Sequence, residues 1–127
     1  MAGIARLGKQ SKIFSRDPMD TQDFILVLTN VPDRETGKRM ASQIVAQKLA
    51  ACVNISSDIL SIYNWDGQPQ AEIEVQLMIK TTQARYAQLE ELITSIHPYE
   101  LPEIIAIPLV AGLPAYMGWV KKETETP

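Results

Sequence analysis

The stretch from Ile59 to Lys80 limits most strongly what this chain can fold into, because it contains two strand patterns separated by a turn signal. Asp66-Gly67, followed by Gln68-Pro69, is typical of a tight turn that closes a hairpin. On the returning side, apolar Ile73, Val75, Leu77 and Ile79 alternate with Glu72, Glu74, Gln76, Met78 and Lys80. The pattern predicts an antiparallel hairpin with arms of roughly 12 residues each, against a usual strand length of about 5–6.

Arms of this length have a consequence for assembly. Helices of ordinary length cannot cover them, so the outer part of the hairpin, with Tyr63 and Trp65, should expose apolar side chains and unpaired backbone groups. Proteins normally cover or pair such edges. We therefore predict a homo-oligomer in which hairpin arms pair between subunits.

A strand and a helix precede the hairpin. Phe24–Val31 is a continuous apolar run rich in branched residues, which is typical of a central strand buried on both faces. Pro32 ends the run, and Asp33 can cap a helix over residues 34–51. Its predicted buried positions are Met40, Ala41, Ile44, Val45 and Leu49. Cys52 then starts a second strand through Val53 and Ile55. Ser56-Ser57-Asp58 interrupts the strand pattern, which continues from Ile59.

A helix, a strand and a short helix follow the hairpin. Thr81 or Thr82 can cap a helix that must stop near Ile96, because prolines at 98 and 102 favour an extended backbone at the preceding His97 and Leu101. The predicted buried positions of this helix are Tyr86, Leu89, Ile93 and Ile96. The last long strand, Ile104–Val110, contains Pro108, which cannot donate a ladder hydrogen bond and so favours an edge position. A short helix should run from Pro114 or Ala115 through Lys122.

The order strand, helix, strand, strand, helix, strand predicts an α+β protein with the ferredoxin-like βαββαβ arrangement, one antiparallel sheet with two helices on one face. The first strand then lies centrally and the last at an edge. We expect one domain over residues 20–127. The basic leader, residues 1–19, should be disordered or ordered only by contacts. It is loosely similar to an organellar transit segment, a vector-derived leader or upstream translation is an equal alternative, and Met19 is a candidate natural start.

Charge and composition exclude several classes of function. The formal charge is −3, and residues 20–127 contain eight basic and fourteen acidic residues. Such a body lacks the clustered lysine and arginine of a nucleic-acid-binding protein. No apolar run approaches the roughly 20 residues that cross a bilayer. The single cysteine, Cys52, and the absence of an apolar secretory segment in residues 1–19 predict a reducing, cytoplasmic location.

Four residues are candidate metal ligands: Cys52, His97, Glu100 and Glu103. Thiolate and imidazole suit copper or zinc, whereas carboxylates are weaker ligands for copper. Each of the first two has an alternative role. Cys52 can be a small buried core residue, and His97 can satisfy carbonyls at a helix end. Glu100 and Glu103 could raise the pKa of His97 or share a cation with it.

Other residues are predicted to shape a cleft or an interface: Tyr63, Trp65, Lys80, Tyr99, Tyr116 and Trp119. Lys80 could hold an anion, although an ion pair with Glu100 or Glu103 is the ordinary expectation. The sequence contains no Gly-x-Ser-x-Gly, no glycine-rich phosphate loop and no His-Glu-x-x-His. We therefore expect no enzymatic activity.

Several short motifs occur in a distinctive order along the chain. They are Leu49-Ala-Ala-Cys-Val-Asn54, Tyr63-Asn-Trp-Asp-Gly67, Lys80-Thr81-Thr82, His97-Pro-Tyr-Glu100 with Pro102-Glu103, and Tyr116 with Trp119. Over about residues 24–120 the chain closely resembles the CutA family, the divalent-cation tolerance proteins. The resemblance implies a ferredoxin-like fold, a tight homotrimer, kinship in fold with the PII signalling proteins, and divalent metal binding linked to copper tolerance.

One departure from the family concerns soft-metal ligands. Some relatives carry further cysteines in the first strand and second helix, where this chain has Thr29 and Leu92. A high-affinity copper site within one subunit is therefore disfavoured, and donors would have to combine across subunits. We predict a trimeric protein of metal homeostasis that binds Cu²⁺ or another divalent cation, with no obligatory cofactor. The alternatives are a PII-like module for a small anionic ligand and a trimeric scaffold without a physiological metal.

Overall fold

The computed structural model describes residues 23–126, and the predicted leader lies outside them. The elements within this range follow the predicted order. They are β1 (Phe24–Val31), α1 (Arg34–Ala46), β2 (Cys52–Ile55), β3 (Ile59–Trp65), β4 (Gln68–Thr82), α2 (Tyr86–Ile96), β5 (Ile105–Pro108) and α3 (Pro114–Glu123). A single 3₁₀ turn, Gln83–Arg85, links β4 to α2.

The sheet confirms the ferredoxin-like prediction. Its strand order is β2-β4-β1-β5 with antiparallel pairing throughout, so β1 is central and β5 is at an edge. The predicted second strand is divided in two. β2 pairs with the inner end of β4, Leu77–Lys80, and β3 pairs with its outer half, Gln68–Glu74. The outer half of β4 and β3 form the long arm that the alternation predicted, referred to below as the hairpin arm.

The core lies between one face of the sheet and the two long helices. Leu77 and Ile79 of β4, Ile44 of α1, and Leu89 and Ile93 of α2 are completely buried there. The predicted apolar face of β4 is confirmed for Val75, Leu77 and Ile79. Ile73, on the same face, is 56% exposed because it lies on the hairpin arm, beyond the reach of the helices.

Helix α1 begins as predicted but ends five residues early. The Asp33 carboxylate accepts a hydrogen bond of 2.7 Å from the Thr36 amide, which confirms the N-cap. The helix ends at Ala46, and Lys48 then adopts a left-handed backbone with φ 59°. This reversal places Leu49 in the core from outside the helix. Val45, within the helix, is 42% exposed and not buried as predicted.

A glycine lets α1 lie close to the sheet. A Cβ atom on Gly37 would lie 3.1 Å from Leu77 Cδ2 and 3.3 Å from Val31 Cγ2. The helix face at this point is therefore in contact with the central strands, and the sequence pattern alone did not indicate this close approach.

Two details around α2 and β5 differ from prediction. Thr82 precedes the 3₁₀ turn without a side-chain capping bond, and the Thr81 hydroxyl donates to the Leu49 carbonyl instead, at 2.7 Å. The last strand spans only Ile105–Pro108, shorter at both ends than predicted, because only these residues pair with β1. Pro108 does lie at the sheet edge as expected.

The hairpin arm has the predicted turn and the predicted exposure. Asp66 and Gly67 both have positive φ, 53° and 78°, which is the geometry of a type I′ turn. On the arm, Leu60 and Ile62 are 62% and 73% exposed, and Tyr63 and Trp65 are 43% and 41% exposed. A chain in this form thus presents a large apolar surface to solvent.

Candidate functional site

A cleft of about 830 Å³ lies between the hairpin arm and the segment that follows α2. The arm contributes side chains from β3 and β4, and the segment 98–103 forms the opposite wall. Among the residues singled out from the sequence, the cleft contains Tyr63, Trp65, Tyr99, Glu100 and Glu103.

The floor of the cleft is a hydrogen-bonded polar network. The Tyr99 hydroxyl donates to Glu74 Oε2 at 2.7 Å, and Asn30 Nδ2 donates to Glu74 Oε1 at 3.5 Å. Gln76 Nε2 in turn donates to Asn30 Oδ1 at 3.2 Å. Glu74 is only 7% exposed, although it lies on the face of β4 that was predicted to be polar. Burial and the Glu74 carboxylate both raise the pKa of Tyr99, so the phenol is neutral in the physiological range.

Sequence reasoning missed Glu74, Asn30 and Gln76. Alternation in β4 places Glu74 and Gln76 on the face opposite its apolar side chains, and burial of Glu74 depends on segment 98–103, which is distant in sequence. One signal was present: Asn30 is an amide within the otherwise apolar end of a central strand, and buried amides require partners.

His97 adjoins this network, with hydrogen bonds at both ring nitrogens. Nε2 donates to the Asn30 carbonyl at 2.9 Å and lies 3.2 Å from the Thr29 hydroxyl, while Nδ1 accepts from the Tyr99 amide at 3.2 Å. This pattern assigns the neutral Nε2–H tautomer. The ring also packs on Tyr99, with centroids 4.8 Å apart. The imidazole therefore connects α2 to the end of β1, and a metal would have to displace one of these bonds.

The expected surroundings of His97 are wrong in two respects. Its ring bonds to a strand carbonyl and not to carbonyls at the end of α2. Burial lowers the pKa of His97, and the carboxylate that opposes this effect is Glu74, not Glu100 or Glu103. The predicted extended backbone at His97 is confirmed, with φ −74° and ψ 135°.

The lowered pKa predicts a pH-dependent stability. The unfolded chain binds a proton on His97 at its ordinary pKa of 6.5, whereas the folded chain resists protonation until a lower pH. The contribution of His97 to the free energy of unfolding should therefore be constant above pH 6.5. It should fall as the pH drops from 6.5 through the lower pKa of the folded chain. Urea unfolding midpoints at pH 7.5 and 5.5 would measure the loss. In His97→Gln, the only histidine is gone, and the difference between the two midpoints should shrink. Equal wild-type midpoints would contradict the assignment of a buried neutral imidazole.

Cys52 belongs to a second, separate cluster. It lies opposite Lys80 in the β2–β4 register, and Lys80 Nζ donates to Cys52 Sγ at 3.8 Å and to Asn54 Oδ1. Burial is the main cause that raises the pKa of Tyr116, and the neighbouring Cys52 thiol raises it further. The Tyr116 ring packs on Trp119 with centroids 5.6 Å apart. Lys80 thus bonds to neighbours in β2 in place of the expected Glu100 or Glu103.

The two clusters are far apart within one chain. Glu74 and Lys80 are both on β4, and six residues of extended strand span about 20 Å. Within residues 23–126, no group of three or more His, Cys, Asp or Glu side chains is close enough to hold a metal ion. The structure of one chain therefore does not bring Cys52 together with His97, Glu100 and Glu103.

Comparison with known proteins assigns the chain to a family. Residues 25–123 match the family model described as CutA1 divalent ion tolerance protein. The chain belongs to this family. The Thermus thermophilus divalent-cation tolerance protein CutA is 38% identical over 99 residues, which is 78% of this chain and 96% of that protein. The chloroplastic CutA protein of Arabidopsis thaliana is 42% identical over 90% of this chain, which spans 63% of that protein's length.

Solved CutA structures share the fold. The crystal structure of CutA1 from Oryza sativa superimposes with a TM-score of 0.80 at 40% identity, over 85% of this chain and all of that one. The Thermus thermophilus structure superimposes with a TM-score of 0.78 at 37% identity, over 80% of this chain and 99% of that one.

Location is not uniform among these proteins. Two plant relatives are named chloroplastic, and the Archaeoglobus fulgidus structure is named periplasmic. Within the described residues, none of the helices has the length and apolar character to cross a membrane. The cytoplasmic location of this chain stays a prediction.

Proposed function

We propose that this chain is a homotrimeric, cytoplasmic protein of metal homeostasis that binds Cu²⁺ or another divalent cation in clefts between subunits. Membership of the divalent ion tolerance family supports a relation to such cations. The observation that carries the proposal is the charge of the cleft. Glu74, Glu100 and Glu103 line it, and no lysine or arginine does so among the residues that the structure describes. An anionic cleft with low-dielectric walls concentrates cations.

Assembly would complete the ligand set. A single described chain does not assemble three ligating groups, and a tight metal site needs them to converge. The exposed apolar hairpin arm supports association, because contact with another copy would bury Leu60, Ile62 and Ile73. A neighbouring subunit could then bring its Cys52 cluster to the cleft, so that thiolate, imidazole and carboxylate donors combine across the interface.

The anion-binding alternative is less well supported. It requires a free cationic group at the cleft, and the candidate, Lys80, lies in the other cluster and bonds to Cys52 and Asn54. We further propose a binding role without catalysis. The neutral His97 is held by β1 and by the Tyr99 amide, far from the Cys52 thiol that it would have to activate as a base.

Calorimetric titration of Cu²⁺ and of Zn²⁺ tests the proposal. The protein would start at Met19, and wild type would be compared with Cys52→Ser and His97→Ala. We expect integral stoichiometry per chain or per trimer, and an affinity at least about tenfold lower in each variant, because each loses a ligand. Glu91→Gln, which removes one exposed charge from α2, is the matched control and should bind as wild type does. Weak heats without integral stoichiometry, unchanged in both variants, would reject a direct metal site.

A further inference from the structure

The cleft also has an aromatic wall that a metal site does not use. In the register of the hairpin arm, Tyr63 lies opposite Gln70, Trp65 opposite Gln68, and Glu74 opposite Ile59. Alternate residues of a strand share a face, and directly paired residues lie on the same side. Tyr63 and Trp65 therefore lie on the same face of the arm as the buried Glu74.

Tyr99 extends this wall from the opposite side of the cleft. Its hydroxyl donates to Glu74 Oε2 at 2.7 Å, and Tyr63 and Tyr99 line the same cleft. Pro98 and Leu101 add apolar surface from the same segment. The result is a concave, partly apolar site whose volume, about 830 Å³, is in the range of small-molecule sites.

The charges of this site favour a cation, and their spacing within one chain favours a large one. Glu74, Glu100 and Glu103 line the cleft, yet within residues 23–126 they do not form a group close enough to chelate an ion. An inorganic ion needs donors at about 2–2.6 Å on several sides at once. An organic cation is several ångströms across, so it can contact dispersed carboxylates and aromatic faces together.

We propose that this cleft binds an organic ammonium ion, a quaternary or alkyl-substituted amine, between the aromatic faces of Tyr63, Trp65 and Tyr99 and the carboxylate of Glu74. Aromatic faces attract such cations through their quadrupole, and the attraction is stronger where water is excluded. The apolar substituents on the nitrogen are weakly hydrated, so the aromatic wall is favoured over bulk water. The residues named belong to one chain, and the ligand does not require the metal site proposed above, although both would use the carboxylates of the same cleft.

Choline is the probe. Saturation-transfer NMR on its trimethyl signal would detect binding, and calorimetry would give the dissociation constant. The uncharged analogue 3,3-dimethylbutan-1-ol has the same shape without the charge. We expect choline to bind at least about tenfold more tightly than the alcohol. We also expect about fivefold weaker binding in Trp65→Leu, which removes one aromatic face at an exposed position of the arm.

Two variants separate charge in the cleft from net charge of the protein. Glu74→Gln keeps an acceptor for the Tyr99 hydroxyl and removes the buried charge, so it should weaken choline binding about tenfold or more. Glu91→Gln makes the same change on the exposed face of α2 and should leave binding unchanged. Equal affinity for choline and the alcohol, undetectable choline binding, or full affinity in Glu74→Gln and Trp65→Leu would each overturn the proposal.

Discussion

Replacing Ile62 and Ile73 together by lysine is expected to convert the proposed trimer into a monomer of 14.2 kDa. Both side chains are on the hairpin arm and more than half exposed, and the register places them on the face opposite Tyr63 and Trp65. In the proposed assembly a neighbour covers this surface, so two charged ammonium groups there would each have to lose water without a partner. The fold of the single chain should survive, because neither residue belongs to the core.

Sedimentation equilibrium and light scattering at several protein concentrations would measure the assembly state. The matched control is Gln43→Lys with Gln47→Lys, which adds the same charge to the exposed side and C-terminal cap of α1. It should remain trimeric. A wild-type protein that is already monomeric, or an arm variant that stays trimeric, would contradict association through the arm.

Leu77→Ala should cause a large loss of stability. Leu77 is completely buried on β4, pairs with Thr29 and with Ile55, and packs against α1 at Gly37. Removing a buried leucine side chain costs about 2–5 kcal/mol through lost transfer free energy and the cavity left behind. The close approach of α1 and β4 limits how far the site can collapse, which favours the upper part of this range.

Urea unfolding at one fixed protein concentration would measure this change in free energy, since the proposed subunit association would make the midpoint concentration-dependent. Leu113→Ala, a 70% exposed position before α3, is the comparison and should change the free energy of unfolding by less than about 0.5 kcal/mol. A loss below about 1 kcal/mol for Leu77→Ala would mean that the sheet and α1 are less tightly packed than the structure indicates.

The polar residues of the site illustrate where sequence reasoning ends. Tyr63, Trp65, Tyr99, Glu100 and Glu103 were singled out from their motifs, and they line one cleft. The alternation in β4 places Glu74 only on the polar face of the strand, and it is the buried carboxylate to which the cleft tyrosine bonds. Alternation along a strand tells which face a side chain is on. It does not tell whether a later segment of the chain covers that face.

The metal-ligand set shows the same limit at longer range. Cys52 and His97 form one predicted ligand set because their donor atoms suit the same metals. The identity of a donor atom does not indicate how far apart two residues lie in the folded chain. Pairing of β2 with the inner end of β4 places Cys52 beside Lys80, whereas the end of α2 places His97 beside β1 at Thr29 and Asn30. Whether other subunits bring these groups together is what the titration tests.

The sequence by itself determined the order and type of the elements, the hairpin turn and the central position of β1. These features follow from periodicity, proline and glycine geometry, and run length, which act between residues near in the chain. Only the tertiary structure decided the end of α1 at Ala46, the contact at Gly37, the burial of Glu74 and the separation of Cys52 from His97. Each of these depends on strand register and helix packing, which set the distances between residues far apart in sequence.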